Sequence, residues 1–242
     1  MSERVYYNFL SSKDAIDDLE NEWIKVSTLN ELNDPFELEP YLRYGFKERQ
    51  AFHNIRRRIS KKWGILCFSN NWNEPILWSY YADKHKGIAI GFNILQDKVL
   101  KVDYSSDPKR QEIKLMNDKN TDEKLFLDLT KVKYKKWEYE NEYRILIKLK
   151  GCIPKKKRDI YLIRFGNRLK VKKIVLGCKF NHEKEKEKIT KLAIKLNAEI
   201  IPTREEWEGY TINQCGTKAK LYKNLMKSMR LEKDKSKNSK SL

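Results

Sequence analysis

The sequence predicts an α+β fold. The expectation is a single domain over residues 1–216, with mixed, mainly antiparallel β-sheets packed with helices, and a basic, partly disordered C-terminal tail over 217–242. Three observations carry it. Short aromatic and β-branched segments recur along the chain with helical stretches between them. A late strand–helix–strand run, 172–177, 181–197 and 199–202, has the ordinary α/β layout. Finally, 242 residues with 40% apolar content can fill one large core, and no internal repeat or Pro- or Gly-rich linker marks a split.

The elements follow in order. Residues 4–9 (RVYYNF) alternate as a first strand. Ser11 then caps a helix through 11–22, with Asp14 at capping-box spacing. WIKVST (23–28) reads as a second strand. The Asn33-Asp34-Pro35 centre of the next segment cannot continue a helix, because the residue before proline is pushed to extended geometry. A polar helix fits 46–63, with Phe52, Ile55 and Ile59 on one side. GILCFS (64–69) is a short apolar strand, and 75–83 is a helix opened by Pro75. GIAIGFN (87–93) and KVLKVDYS (98–105) read as neighbouring strands. Residues 121–135 look helical through Leu125, Leu129 and Val132, and 158–165 is a further strand.

Composition bounds the function. With 52 Lys+Arg against 34 Asp+Glu, the net charge is +18, a field that gathers polyanions and phosphate-bearing molecules. Much of the excess sits in the tail from Thr217 to Leu242, whose bland reading is a solubilising segment. No apolar run is long enough to span a bilayer, and the N-terminus lacks a signal-peptide layout. Cys67, Cys152, Cys178 and Cys215 form no CxxC, and three histidines make a zinc cluster unexpected. A reduced, cytoplasmic setting with no metal and no membrane partner is the expectation.

Residues 137–145 read WEYENEYRI. Glu138, Glu140, Glu142 and Arg144 recur at every second position, with Trp137, Tyr139, Tyr143 and Ile145 between. The alternation predicts a strand over 137–148; a helix would scatter the apolar groups around its cylinder. On a strand, Glu140 and Glu142 point one way with Cα atoms ~7 Å apart. Two acids so placed can divide labour, one with a raised pKa and one ionised. The bland alternative is a ladder of Glu with cross-strand Lys, each pair contributing about 0.2–1 kcal/mol.

Taken together, several stretches resemble a bacterial family known as domain of unknown function 2971. They are a first-strand Tyr6 or Tyr7; Asn33, Asp34, Pro35, Phe36 and Glu37; and Cys67-Phe68-Ser69. Trp78, Tyr81, Ala82, Asp83, His85 and Gly87 follow, and then Trp137, Glu140, Glu142 and Arg144. The likeness covers roughly residues 4–205 and implies no settled activity. A looser likeness is to ADP-ribosyltransferases, which use NAD as substrate. It implies an ADP-ribosyltransferase-like fold, with an active cleft gathered from the ends of strands 4–9, 64–69 and 137–147. It also implies a first-strand NAD contact at Arg4, Tyr6 or Tyr7, a second at Ser69, and stacking by Trp78, Tyr80 or Tyr81. Glu142 would be the catalytic acid, with Glu140 as second carboxylate and Arg144 keeping Glu142 ionised. Asn33, Asp34, Glu37, Asp83 and His85 would support the site. Such a carboxylate would stabilise the positive charge that builds on ribose as nicotinamide leaves. By the same analogy the setting is bacterial defence against phage or toxin–antitoxin conflict, with nucleic acid or protein as acceptor and an antitoxin as a further partner.

Two rivals stand beside it. A Mg²⁺-dependent nuclease would use Asp103 with Glu140 or Glu142 and Lys148, although the usual Glu-x-Lys spacing is absent. A non-catalytic nucleic-acid-binding module would rest on net charge and the six Trp. Bland readings accompany the lesser candidates. Asn33-Asp34 reads equally as a turn cap, Asp83-Lys84-His85 as helix-end capping, Cys67 as core, and His53 and His182 as exposed helix residues. Gly87 and Gly91 form neither a Rossmann nor a P-loop fingerprint.

Overall fold

The computed structural model describes residues 2–34, 36–37, 45–106, 124, 126–155 and 160–238. In chain order the helices are α1 (Ser12–Asn21), α2 (Phe46–Ser60), α3 (Pro75–Tyr81), α4 (His182–Leu196) and α5 (Gly216–Asn238). The strands from the first half are β1 (Glu3–Leu10), β2 (Trp23–Thr28), β3 (Trp63–Ser69), β4 (Ile88–Leu95), β5 (Leu100–Lys101) and β6 (Asp103–Ser105). The second half adds β7 (Val132–Tyr134), β8 (Glu142–Lys148), β9 (Ile153–Lys155), β10 (Ile160–Arg164), β11 (Lys170–Leu176), β12 (Glu199–Glu205) and β13 (Ile212–Gln214). The architecture is α+β with mainly antiparallel strands. Contacts gather into two compact units, Met1–Glu22 with Ser69–Leu95 and Phe165–Leu242, and Trp23–Phe68 with Gln96–Arg164. Their segments alternate along the chain, so no linker in the sequence marks them.

In the first unit the strand order is β13-β12-β11-β4-β1. β1 and β4 pair antiparallel from Glu3 opposite Leu95 to Leu10 opposite Ile88. β11 and β12 run parallel on either side of α4, the strand–helix–strand unit that the sequence predicts. Ser11 caps α1 as expected: its hydroxyl accepts from the Asp14 N–H at 3.1 Å and donates to the Asp14 carboxylate at 2.6 Å. Tyr7, Trp78, Ala82, Ala89, Val175 and Ile201 form one apolar core. The expected tail is helical from Gly216 to Asn238, and residues 239–242 lie outside the described set. Tyr222 explains the order. It is buried, and its hydroxyl meets His182 Nδ1 at 3.0 Å, which ties α5 to α4. His182 is therefore half-buried rather than fully exposed, and burial lowers its pKa to about 4.

A second feature of this unit is a left-handed turn after α3. Asp83, Lys84 and His85 have φ of 44°, 52° and 71°, conformations unfavourable for residues with a Cβ. The turn is held from several sides. His85 N–H donates to Trp78 O at 3.1 Å, Gly87 N–H to Ala82 O at 2.8 Å and Lys179 N–H to His85 O at 3.0 Å. Two glycines make the approach possible. A Cβ on Gly87 would lie 2.1 Å from Leu10 O, and one on Gly177 would lie 2.2 Å from His85 O.

In the second unit β2 lies between β3 and β10, β9 pairs with β10, and β8 pairs with both β3 and β5. Leu29, Ile55, Ile59, Ile65, Phe126 and Leu129 form its core, with Ile55 and Ile59 on the predicted face of α2. Three expectations are corrected here. Segment 98–105 does not neighbour β4; it breaks into β5, paired with β8, and β6, paired parallel with β7. Among the described residues of 121–135, Lys124 and 126–129 are helical and Val132 already begins β7; 121–123 and Leu125 lie outside the described set. The strand expected over 137–148 begins only at Glu142. Residues Lys135–Glu140 form a 3₁₀ turn that Asn141 closes at φ 43°, its N–H bonding Glu138 O at 3.1 Å. Asn tolerates that conformation better than most residues, which is why alternation alone misplaces the boundary.

Replacing Gly87 or Gly177 with Ala is expected to cost about 2 kcal/mol or more, because the obstructing atoms are backbone oxygens that cannot swing away. Gly151→Ala, with nothing within 4 Å of the added methyl, serves as control. Thermal unfolding of the three variants checks this; equal midpoints would refute it.

Candidate functional site

Arg144 organises the acid-rich stretch. Glu142 and Arg144 are two residues apart on β8, so both side chains leave the same face, and both are buried. Arg144 Nε donates to Glu142 Oε1 at 2.8 Å and Nη2 to Glu142 Oε2 at 2.9 Å, a bidentate pair. Nη1 donates to the Thr130 carbonyl at 2.9 Å, and Nη2 also donates to Glu37. Lys133 Nζ sits 2.5 Å from Glu140 Oε2, 3.0 Å from Glu142 Oε2 and 3.7 Å from Glu37 Oε2. The same ammonium lies 5.0 Å from the centre of the Trp137 ring.

Local structure delivers each member. Asp34 is the bland reading realised, an Asx turn: its carboxylate accepts from Phe36 N–H at 2.9 Å and its carbonyl from Glu37 N–H at 3.0 Å. That turn sets Glu37 against Arg144. The parallel β6–β7 pairing puts Tyr104 opposite Lys133, and the Tyr104 hydroxyl accepts from Glu142 N–H at 2.8 Å. The turn at Asn141 precedes Glu142, and Glu140 and Glu142 still meet on one lysine although they do not share a strand.

The cluster holds three carboxylates and two cations with little solvent. Burial opposes charge on Glu142, but Arg144 and Lys133 outweigh it and hold the carboxyl far below its ordinary range. Burial likewise opposes charge on Lys133, and Glu142, Glu37 and Glu140 outweigh it, raising its pKa. For Glu37, burial wins and lifts the carboxyl above its ordinary range. Cys67 borders the cluster and hydrogen-bonds Glu142; burial, and next the Glu142 charge, push its thiol well up. It is a core thiol, not a reactive one.

Most of the other predicted site residues fall in the first unit. Tyr6 and Trp78 are core side chains, 1% and 0% exposed, and the Trp78 indole N–H donates to Trp72 O at 2.7 Å. Trp78 therefore offers no ring face for the expected stacking, and Tyr6 none of its ring for the expected first-strand contact; Tyr80, 70% exposed, does offer a face. Tyr7 lies opposite Ser69 on paired strands, and both are buried. Arg4 and Asp83 are exposed and Tyr81 is half-buried. His85 Nε2 lies 2.9 Å from the Ser79 hydroxyl, and burial, then Lys179, lowers its pKa. In the second unit Asn33 is exposed, and Asp103, the carboxylate of the nuclease reading, is exposed on β6. Lys133, Tyr104 and Thr130 were not singled out from the sequence. Lys133 is one of 52 basic residues, and only its place between Val132 and Tyr134 on a short strand distinguishes it.

A second site in this unit is a groove of about 420 Å³ lined by Lys61, Lys62, Trp63, Lys148, Lys150 and Tyr161. Leu149 N–H donates to Lys62 O at 2.8 Å, which joins the turn after α2 to the turn after β8 and sets two lysine pairs side by side. Lys148 Nζ lies 5.0 Å from the Trp63 ring centre. Among the described residues that line this groove there is no acidic side chain.

Residues 77–145 match the model of a family described as "Protein of unknown function (DUF2971)". That stretch includes Lys133, Glu140, Glu142 and Arg144 but none of the groove residues. No curated protein and no solved structure matches the chain.

Removing one member of the buried pair should cost about 3–5 kcal/mol, because the partner is left charged and dry. Glu142→Gln and Arg144→Met are expected to show this in urea unfolding. The Glu142 pKa is depressed on folding, so its stabilisation is present above the ordinary carboxylate range and is lost as pH falls. Between about pH 6 and pH 3.5 the wild type should therefore lose more stability than Glu142→Gln. Parallel pH profiles would overturn this.

Proposed function

We propose that the protein binds a polyanion, with nucleic acid as the favoured ligand, through the groove between the Lys61–Lys62 turn and the Lys148–Lys150 turn. The observation that carries this reading is a lining whose described residues include four lysines and two aromatic rings and no acidic side chain, on a chain of net charge +18. Lysines so placed neutralise successive phosphates and release condensed counterions, which gives affinity without sequence preference. The binding step needs only the existing side chains: the ammonium groups meet phosphate oxygens, and water and small cations leave.

A second reading is kept for one specific observation. Four members of the buried cluster, Lys133, Glu140, Glu142 and Arg144, lie within the stretch that matches the family, and their geometry keeps Glu142 ionised. A buried, ionised carboxylate favours a group that becomes positive, as ribose does when nicotinamide leaves NAD. Only the acid half of the ADP-ribosyltransferase expectation fits, however: Tyr6 and Trp78 are enclosed in core, and Lys133 and Arg144 already engage the Glu142 oxygens. No step through NAD is therefore derived.

For the leading reading, a fluorescent oligonucleotide should bind with a log–log salt slope near −3 if four lysines contact phosphates. Lys61→Gln with Lys62→Gln should flatten that slope by about 1.4. A slope unchanged in the double variant would sink the groove as the site. For the second reading, nicotinamide release from NAD is measured with wild type and with Glu140→Gln, which removes the carboxylate that meets Lys133 at 2.5 Å. Absence of release from wild type would end it.

A further inference from the structure

We infer that the groove takes an unpaired nucleotide base on Trp63, and so prefers single-stranded to duplex nucleic acid. The inference rests on the polyanion reading and adds to it the form of the ligand. Trp63 opens β3 directly after the two lysines of the preceding turn. Its ring is half-buried and fixed: it packs against the Phe126 ring at 5.8 Å between centres, within the second unit's core. The groove side of the ring is met by the Lys148 ammonium at 5.0 Å, and Tyr161 lines the same groove.

This arrangement is a stacking platform with a cation resting on it. A nucleobase has the flat face that an aromatic ring stacks against, whatever its identity. On entry the base replaces Lys148 over Trp63, and the released ammonium moves to the adjoining phosphate. The exchange keeps Lys148 charged and paired throughout. Lys61, Lys62 and Lys150 surround the ring within one groove, so the phosphates on either side of a stacked base find cations. A volume of about 420 Å³ accommodates a nucleotide-sized group but not the width of a double helix. In a duplex the bases face one another and present only their edges in the grooves. Duplex DNA could therefore meet the lysines but not the ring.

The test uses the full chain with three probes: a single-stranded oligothymidine, a duplex of equal length, and the free mononucleotide. Single strand is expected to bind roughly tenfold or more tightly than duplex and to quench tryptophan emission. Trp63→Leu should remove that preference, whereas Trp63→Phe, which keeps a ring, should retain most of it. Lys148→Gln lies outside the core contacts of Trp63 and controls for folding; it should weaken both ligands and keep the preference. Equal affinity for single strand and duplex, or a preference that survives Trp63→Leu, overturns stacking while the polyanion reading stands. Mononucleotide binding as tight as the oligomer would assign the groove to free nucleotides and overturn the strand. Binding of no probe overturns both.

Discussion

The bidentate contact between Arg144 and Glu142 is the constraint on which the second unit depends. A guanidinium and a carboxylate brought out of water must satisfy each other, because either alone in that setting is far too costly. Arg144 uses its donors on Glu142, Glu37 and the Thr130 carbonyl, and so binds β8, the 34–37 turn and the end of the 126–129 helical stretch to one point. Lys133 adds β7 and the 3₁₀ turn before β8. Several short elements with small apolar faces are thus held by charge where a longer strand would be held by its ladder.

The first unit solves its packing differently. It has a regular sheet, a parallel pair around α4 and an apolar core, and three successive residues take positive φ in the left-handed turn at Asp83–His85. That turn coincides with part of the motif that drew attention in the sequence, as does the acid cluster in the other unit. Both are places where local preference is overruled, and such departures commonly mark function.

The sequence made the fold legible where periodicity was strong. β1, α1, α2 and the β11–α4–β12 unit lie where alternation and capping place them, because their apolar stripes are long enough to fix one register. It was less legible between residues 96 and 141, where short strands pair with distant partners and no stripe is long enough to reveal them. The acids were visible because Glu140, Glu142 and Arg144 stand in regular spacing. Their partner Lys133 was not, since nothing in a lysine's neighbours announces that it will be buried. Tyr6 and Trp78 show the reverse error: aromatic residues in a shared motif read as ligand contacts, yet large rings fill cores more often than they line clefts. The basic groove was hidden for a simple reason. Its lysines come from turns far apart in the chain, and the pairing of β3 with β8, together with the Leu149–Lys62 backbone bond, brings them together.

The sharing of Arg144 among three acceptors bears on how this protein can drift. A lysine in its place could not span both acids and a carbonyl, and losing Glu37 would untie the 36–37 turn from the guanidinium. Changes at these positions are thus locked to one another. Descendants should either keep the whole set or exchange it wholesale for apolar side chains, and intermediates with one member missing should be rare.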